Sequence, residues 1–243
     1  MGPLIAIDIG NTRIKAGILH HSQLDVHDLP SVEALPPFLR QHRPRAVIAA
    51  SVSTDETALR QALQAWTPHL TIFSAGVSLP FTIDYHPPHT PGTDRLAAAY
   101  WAWKRLHADE LGMVILAGTC ITYTLIDRHA FIGGAISPGL TMRLRAMHEF
   151  TARLPRADIP PTDFPLSSPA RSTIENLQLG ALGGIIGEVE GFIRQWKPPD
   201  RPFHIWISGG DGPYICSHFP HAEYVSHIVI RGLLEYLYDE VLR

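Results

Sequence analysis

The stretch IAIDIGNTRIKAGIL, residues 5–19, decides the fold. Its apolar, β-branched run reads as a buried strand, yet it carries Asp8, breaks at Gly10-Asn11-Thr12-Arg13 and resumes as a second apolar run. Asn and Gly suit a hairpin bend, so residues 4–9 and 14–19 are expected to pair as antiparallel strands. A buried strand gains nothing from a terminal carboxylate, because desolvating that charge is costly. A glycine bend also lets backbone N–H groups approach an oxyanion, with Asn11 and Thr12 as neutral donors and Arg13 or Lys15 as charge. Asp8 could then hold magnesium through water, the usual arrangement beside phosphates. On these residues alone, an anion site and a plain Asn-containing turn both stay open.

Outward from the hairpin, strands are expected near 23–29, 45–51 and 70–73, with helices over 31–42 and 55–66. Residues 80–93, PFTIDYHPPHTPGT, form a proline-rich connection into an Ala- and aromatic-rich helix over 94–109. MVILAGTCITYTLID, residues 113–127, then repeats the opening logic of strand, Gly-Thr break and strand. A Gly-Gly turn is expected within 131–150, a helix over 172–195, and a strand at 203–208 running into Gly209-Gly210-Asp211-Gly212 before a C-terminal helix. The small residues from Ser208 to Gly212 would let a flat ring such as adenine approach backbone, or simply form a turn. The order describes two similar α/β halves, divided as residues 1–90 and 91–243.

Composition narrows the partners. In 243 residues, 18% are charged and the net charge is −3, which gives no general field for nucleic acid or anionic lipid. A small-molecule partner is expected, with no nucleic acid and no membrane. Cys120 and Cys216 have no Cys/His ligand spacing, and histidines such as His20, His21, His86 and His89 are scattered without an HExxH pair. Two cysteines and no signal-peptide pattern read as a reducing, cytoplasmic compartment. No GxSxG elbow suggests a serine hydrolase.

DIGNTRIK, then GTDR, AGTCIT, ISPGL and SGG, in this order and spacing, resemble the type III pantothenate kinases, a branch of the actin-like, Hsp70-like and sugar-kinase-like ATPases. The resemblance implies two similar actin-like (ribonuclease H-like) halves with a nucleotide cleft between them. It also implies ATP-dependent phosphorylation of pantothenate, the first step of coenzyme A biosynthesis. Asp8, Ile9, Gly10, Asn11, Thr12, Arg13, Ile14 and Lys15 match the family's first phosphate loop, with Asp8 toward magnesium, and Thr119 matches a position that meets ATP. Asp94 matches the general base, while Tyr85, Gly92, Thr93, Asp94, Arg95 and Thr173 match positions that hold pantothenate.

The chemistry agrees, since phosphoryl transfer needs positioning, charge neutralisation and a group to accept the hydroxyl proton. The resemblance further implies a homodimer, with the glycine-rich helix near 180–191 as its contact, and a potassium or ammonium ion. Two departures stand out: Leu116 occupies a place where members often carry a cation-binding aspartate, and Thr124 occupies another aspartate position. Asp127 is in the opposite strand register and is a poor substitute. Because the family includes accessory proteins, a non-catalytic nucleotide-binding factor is the competing reading, beside a kinase for another small hydroxyl substrate.

Overall fold

The computed structural model describes residues 2–21 and 23–242. The opening stretch forms β1 (Leu4–Ile9) and β2 (Ile14–His20), antiparallel with Ile9 opposite Ile14, which leaves residues 10–13 as the hairpin loop. β3 (Gln23–Leu29) adds antiparallel to β2. After α1 (Leu35–His42), β4 (Ala46–Ser51) lies parallel to β1, and after α2 (Glu56–Leu63), β5 (Leu70–Phe73) lies parallel to β4. The sheet order is therefore β3-β2-β1-β4-β5.

Composition follows position in this sheet. β1 and β4 are central and almost wholly buried, hence their continuous apolar runs, whereas the edge strand β3 alternates and carries Asp25, His27 and Asp28. Ile5, Ile7, Ile14, Ala16 and Val47 share a core cluster with Leu35 and Leu39 of α1 and Leu59 and Leu63 of α2. Asp55 caps α2 by accepting from the Thr57 and Ala58 amides at 2.8 and 3.2 Å.

β6 (Thr82–Ile83) precedes α3 (Thr93–Trp103), and β7 (Leu111–Ala117), β8 (Cys120–Asp127) and β9 (Ala130–Pro138) follow. Then come α4 (Leu140–Glu149), α5 (Thr173–Trp196), β10 (Phe203–Ser208), α6 (Gly212–Cys216), β11 (Ala222–Tyr224) and α7 (Ile228–Tyr236), whose end continues as a π-helical turn over Leu237–Val241. The second sheet has the order β11-β10-β7-β8-β9-β6. Without β6, its order β9-β8-β7-β10-β11 repeats that of the first sheet, and β10 is parallel to both β7 and β11.

The chain forms two compact units: Met1–Ala108 with Thr124–Gly133 and His227–Arg243, and Asp109–Tyr123 with Gly134–Ser226. Where the sequence suggested halves meeting at residue 90, α3 and α7 group with the first sheet. The reason is backbone proximity: a Cβ on Gly232 of α7 would lie 1.9 Å from the Ala97 carbonyl oxygen of α3, and one on Gly17 of β2 would lie 2.2 Å from Ile230 Cγ2. Small residues thus let helix meet helix and helix meet strand.

Two local expectations need correction. Gly133 and Gly134 make no turn; both lie within β9 at φ 124° and 144°, conformations that other residues avoid. The helix expected over 94–109 ends at Trp103, whose indole donates to the Arg128 carbonyl at 3.1 Å while the Arg128 guanidinium covers the ring. Beyond it, Lys104 and Arg105 turn to Glu235 and Asp239 near the chain's end.

Gly232→Ala is expected to destabilise the protein by about 1–3 kcal/mol through overpacking, read as a lowered urea midpoint.

Candidate functional site

In the first unit, Asp8 is the penultimate residue of β1 and stands in register with Lys15 on one side and Ala50 on the other. The Gly10 amide donates to the Arg13 carbonyl at 3.0 Å, closing a loop that exposes Asn11, Thr12 and Arg13. Burial and the nearby negative charge of Asp94 push the Asp8 carboxyl up from 3.8 to about 7, with Lys15 pulling the other way. The strand-end charge therefore has neighbours of both signs.

Asp94 occupies the first turn of α3, where Asp94 Oδ1 accepts from the Arg95 amide at 2.8 Å. Burial raises its pKa, and the backbone and charge of Arg95 work against that rise. A Cβ on Gly92 would fall 2.5 Å from Asp94 Oδ1, so glycine is what gives this carboxylate its place. Thr93 Oγ1 donates to the Ser51 carbonyl at 3.2 Å, tying the helix start to the end of β4.

Arg95 is only 3% exposed. Its Nε donates to Thr124 Oγ1 at 3.1 Å, and its guanidinium lies 5.3 Å from the Phe131 ring centre and 5.7 Å from that of Tyr85. Thr124, noted as a departure from the expected aspartate, is thus a neutral partner for a buried cation. The unit brings together Asp8 and Lys15 as one group and Tyr85, Gly92, Thr93, Asp94 and Arg95 as another, with Asp8 and Asp94 joined by mutual repulsion. Sequence reasoning missed Phe131 and Ser51; Phe131 carried only the weak signal of a buried aromatic next to a strand start.

In the second unit, Gly118 and Thr119 turn the chain from β7 to β8, with the Gly118 amide donating to the Cys120 carbonyl at 3.0 Å. The loop is hemmed by glycines: a Cβ on Gly139 would lie 2.0 Å from the Gly118 oxygen, and one on Gly209, at φ 101°, would lie 2.1 Å from the Ala117 oxygen. Leu116 pairs with Ser208 across β7 and β10. Gly210 faces open space, as a surface for a flat ring requires. Thr173 is the exposed first residue of α5, directly after the Ser172 cap.

Residues 4–195 match the family described as type III pantothenate kinase. The chain belongs to the type III pantothenate kinase family. Proteins of that name from Cytophaga hutchinsonii and Flavobacterium johnsoniae are 36% and 32% identical to it, over 85% and 88% of this chain and 86% and 88% of theirs. A crystal structure described as a Baf family transcriptional activator from Campylobacter jejuni superposes with a TM-score of 0.67 at 20% identity, covering 98% of this chain and all of that one. At that identity the likeness speaks to fold alone, and the fold is the expected pair of actin-like α/β halves. As a type III pantothenate kinase family member the chain is a kinase, and the reaction of the family is the phosphorylation of pantothenate in coenzyme A biosynthesis.

Among the described residues no group of three or more His, Cys, Asp or Glu is placed to hold a metal, and no helix is long and apolar enough to cross a membrane. The desolvated carboxylate of Asp8 is nevertheless a hard oxygen donor of the kind that suits magnesium sharing its shell with phosphates and water.

Two outcomes follow from this geometry. Gly92→Ala keeps an allowed backbone at φ −56°, ψ 139° but displaces the Asp94 carboxylate, so kcat is expected to fall about 100-fold with an unchanged melting temperature. Because the folded Asp8 binds its proton more tightly than the unfolded one, its charge lowers stability progressively between about pH 4 and 7. In a chelating buffer, Asp8→Asn is expected to be more stable than the parent by up to about 4 kcal/mol at pH 8 and to match it near pH 4.

Proposed function

We propose that this chain transfers the γ-phosphoryl group of ATP to the terminal hydroxyl of pantothenate, with Asp94 as the general base. What supports the reading is the Asp94 carboxylate itself, desolvated at a helix start and made more basic than usual, in a chain of this family. Asp94 takes the hydroxyl proton as the oxygen attacks the γ-phosphorus in line. Residues 10–15 receive the phosphates through backbone amides, Asn11, Thr12, Arg13 and Lys15, and Thr119 makes a further ATP contact.

Asp8 would hold magnesium through water, and the ion, when bound, would neutralise charge on the phosphate oxygens. Tyr85, Gly92, Thr93, Arg95 and Thr173 hold pantothenate. Arg95 enters this role already oriented by Thr124, Phe131 and Tyr85. A potassium or ammonium ion would need other oxygens in place of the family's aspartate carboxylate, since the Leu116 side chain offers none. The reaction is placed in the cytoplasm, in keeping with the two free cysteines, Cys120 and Cys216.

The active species is proposed to be a homodimer joined through α5. Gly180, Gly187 and Gly191 of this helix have nothing within 4 Å of where a Cβ would stand, so a second copy could approach the helix backbone closely. Ile174 on the same helix is exposed as well.

Asp94→Asn is expected to lower kcat by about 10²–10⁴-fold in a coupled assay with pantothenate and magnesium-ATP while ATP still binds. Retained turnover would defeat the assignment of the base. Gly187→Leu is expected to convert a dimer into a folded monomer, measured by light scattering at matched concentration; an unaltered mass would remove α5 from the interface.

A further inference from the structure

Glu188, on α5, is the acceptor at the centre of a side-chain cage within the second unit. Its Oε1 accepts from Tyr123 Oη at 2.7 Å and from Ser137 Oγ, and its Oε2 accepts from Arg143 Nη2 at 2.7 Å. Burial alone would raise the pKa of Glu188, but the donors Ser137, Tyr123 and Arg143 outweigh it and hold the carboxylate ionised. Arg143 also donates through Nη2 to Ser137 Oγ at 3.3 Å and through Nε to the Pro138 carbonyl at 2.8 Å. Gly184 gives the guanidinium its space, with Nη1 3.4 Å from where a Cβ would be.

The cage encloses one segment, Ser137-Pro138-Gly139, at the end of β9. Pro138 has no N–H to give to a sheet ladder, so the bonds that Glu188 and Arg143 make to Ser137 Oγ and the Pro138 carbonyl add to the backbone bonds at this strand end. Immediately after it, the Gly139 amide donates to the Thr119 carbonyl at 3.1 Å. The same residue approaches so closely that a Cβ would lie 2.0 Å from the Gly118 oxygen and 2.8 Å from that of Thr119. Packing this tight has no slack, so a shift of the turn becomes a shift of the loop.

We propose that Glu188 is a positioning residue for the reaction: by gathering Tyr123, Ser137 and Arg143 it fixes Gly139 against Gly118 and Thr119, and so sets where the second loop meets ATP. This rests on the reading of Thr119 as an ATP contact. The cage of Glu188, Tyr123, Ser137 and Arg143 has no member among the residues assigned to pantothenate or to the proton transfer. Its effect is therefore expected in nucleotide binding and in the alignment of the phosphates, not in the handling of pantothenate.

Steady-state kinetics on the full-length protein test the idea with three variants, each checked for folding by its thermal melt. Glu188→Gln keeps the shape and removes the charge, and is expected to raise KM for ATP about tenfold while KM for pantothenate moves less than about twofold. Ser137→Ala, a milder change, is expected to shift KM for ATP in the same direction and remains informative should Glu188→Gln fold poorly. Gly139→Ala pushes directly on the loop and is expected to raise KM for ATP at least as much. If only Gly139→Ala raises it, the role of Glu188 is overturned and the ATP reading of the loop stands. If all three leave KM for ATP unaltered, both fall; if KM for ATP and pantothenate rise together, the cage is merely structural and the proposal is overturned.

Discussion

Two carboxylates share one side of the first unit, and neither is comfortable there. Asp8 is the single charged residue of a strand that is otherwise wholly apolar, and Asp94 lies in the first turn of a helix buried along most of its length. Each is desolvated, and each adds to the cost of ionising Asp8. Lys15, placed opposite Asp8 by the hairpin register, offsets part of that cost. The hairpin, the Gly92 entry to α3 and the tie from Thr93 to Ser51 all serve to hold these two groups where packing alone would not put them.

With β6 left aside, the two sheets share one strand order, and in each a short loop with a glycine joins the central strand to its successor in the chain. The loops are built differently. Residues 10–13 are exposed and close on themselves through Gly10 and Arg13, whereas Gly118 and Thr119 are pressed by the backbone of Gly139 and lie next to Gly209. One loop keeps its shape internally; the other has its shape imposed by segments far along the chain. The cage around Glu188 belongs to this second way of building a site.

Much of this was legible in the sequence because it is local. The hairpin at residues 10–13, the Gly-Thr break and the strand at 203–208 are written in alternation and turn chemistry, and the structure reproduces them. What escaped is non-local. Gly133 and Gly134 look like a turn, yet both lie inside β9, where the backbone takes a positive φ at each. The burial of Arg95 between Tyr85 and Phe131 has no signature in a window of residues around Arg95 itself. Glu188 reads as one more charge on a helix, since its donors come from three other elements. α6 and β11 are simply too short for periodicity to register.

The interleaving of the two units has a consequence for the order of events at the ribosome. α7 supplies Ile230 beside Gly17 and Gly232 beside Ala97, yet it follows the whole of the second unit in the chain. The nascent first sheet, already joined by α3, therefore waits for α7 while roughly half the protein is made behind it. The second unit, complete by Ser226, has all its parts before the first does. Synthesis thus begins with the unit that is completed last.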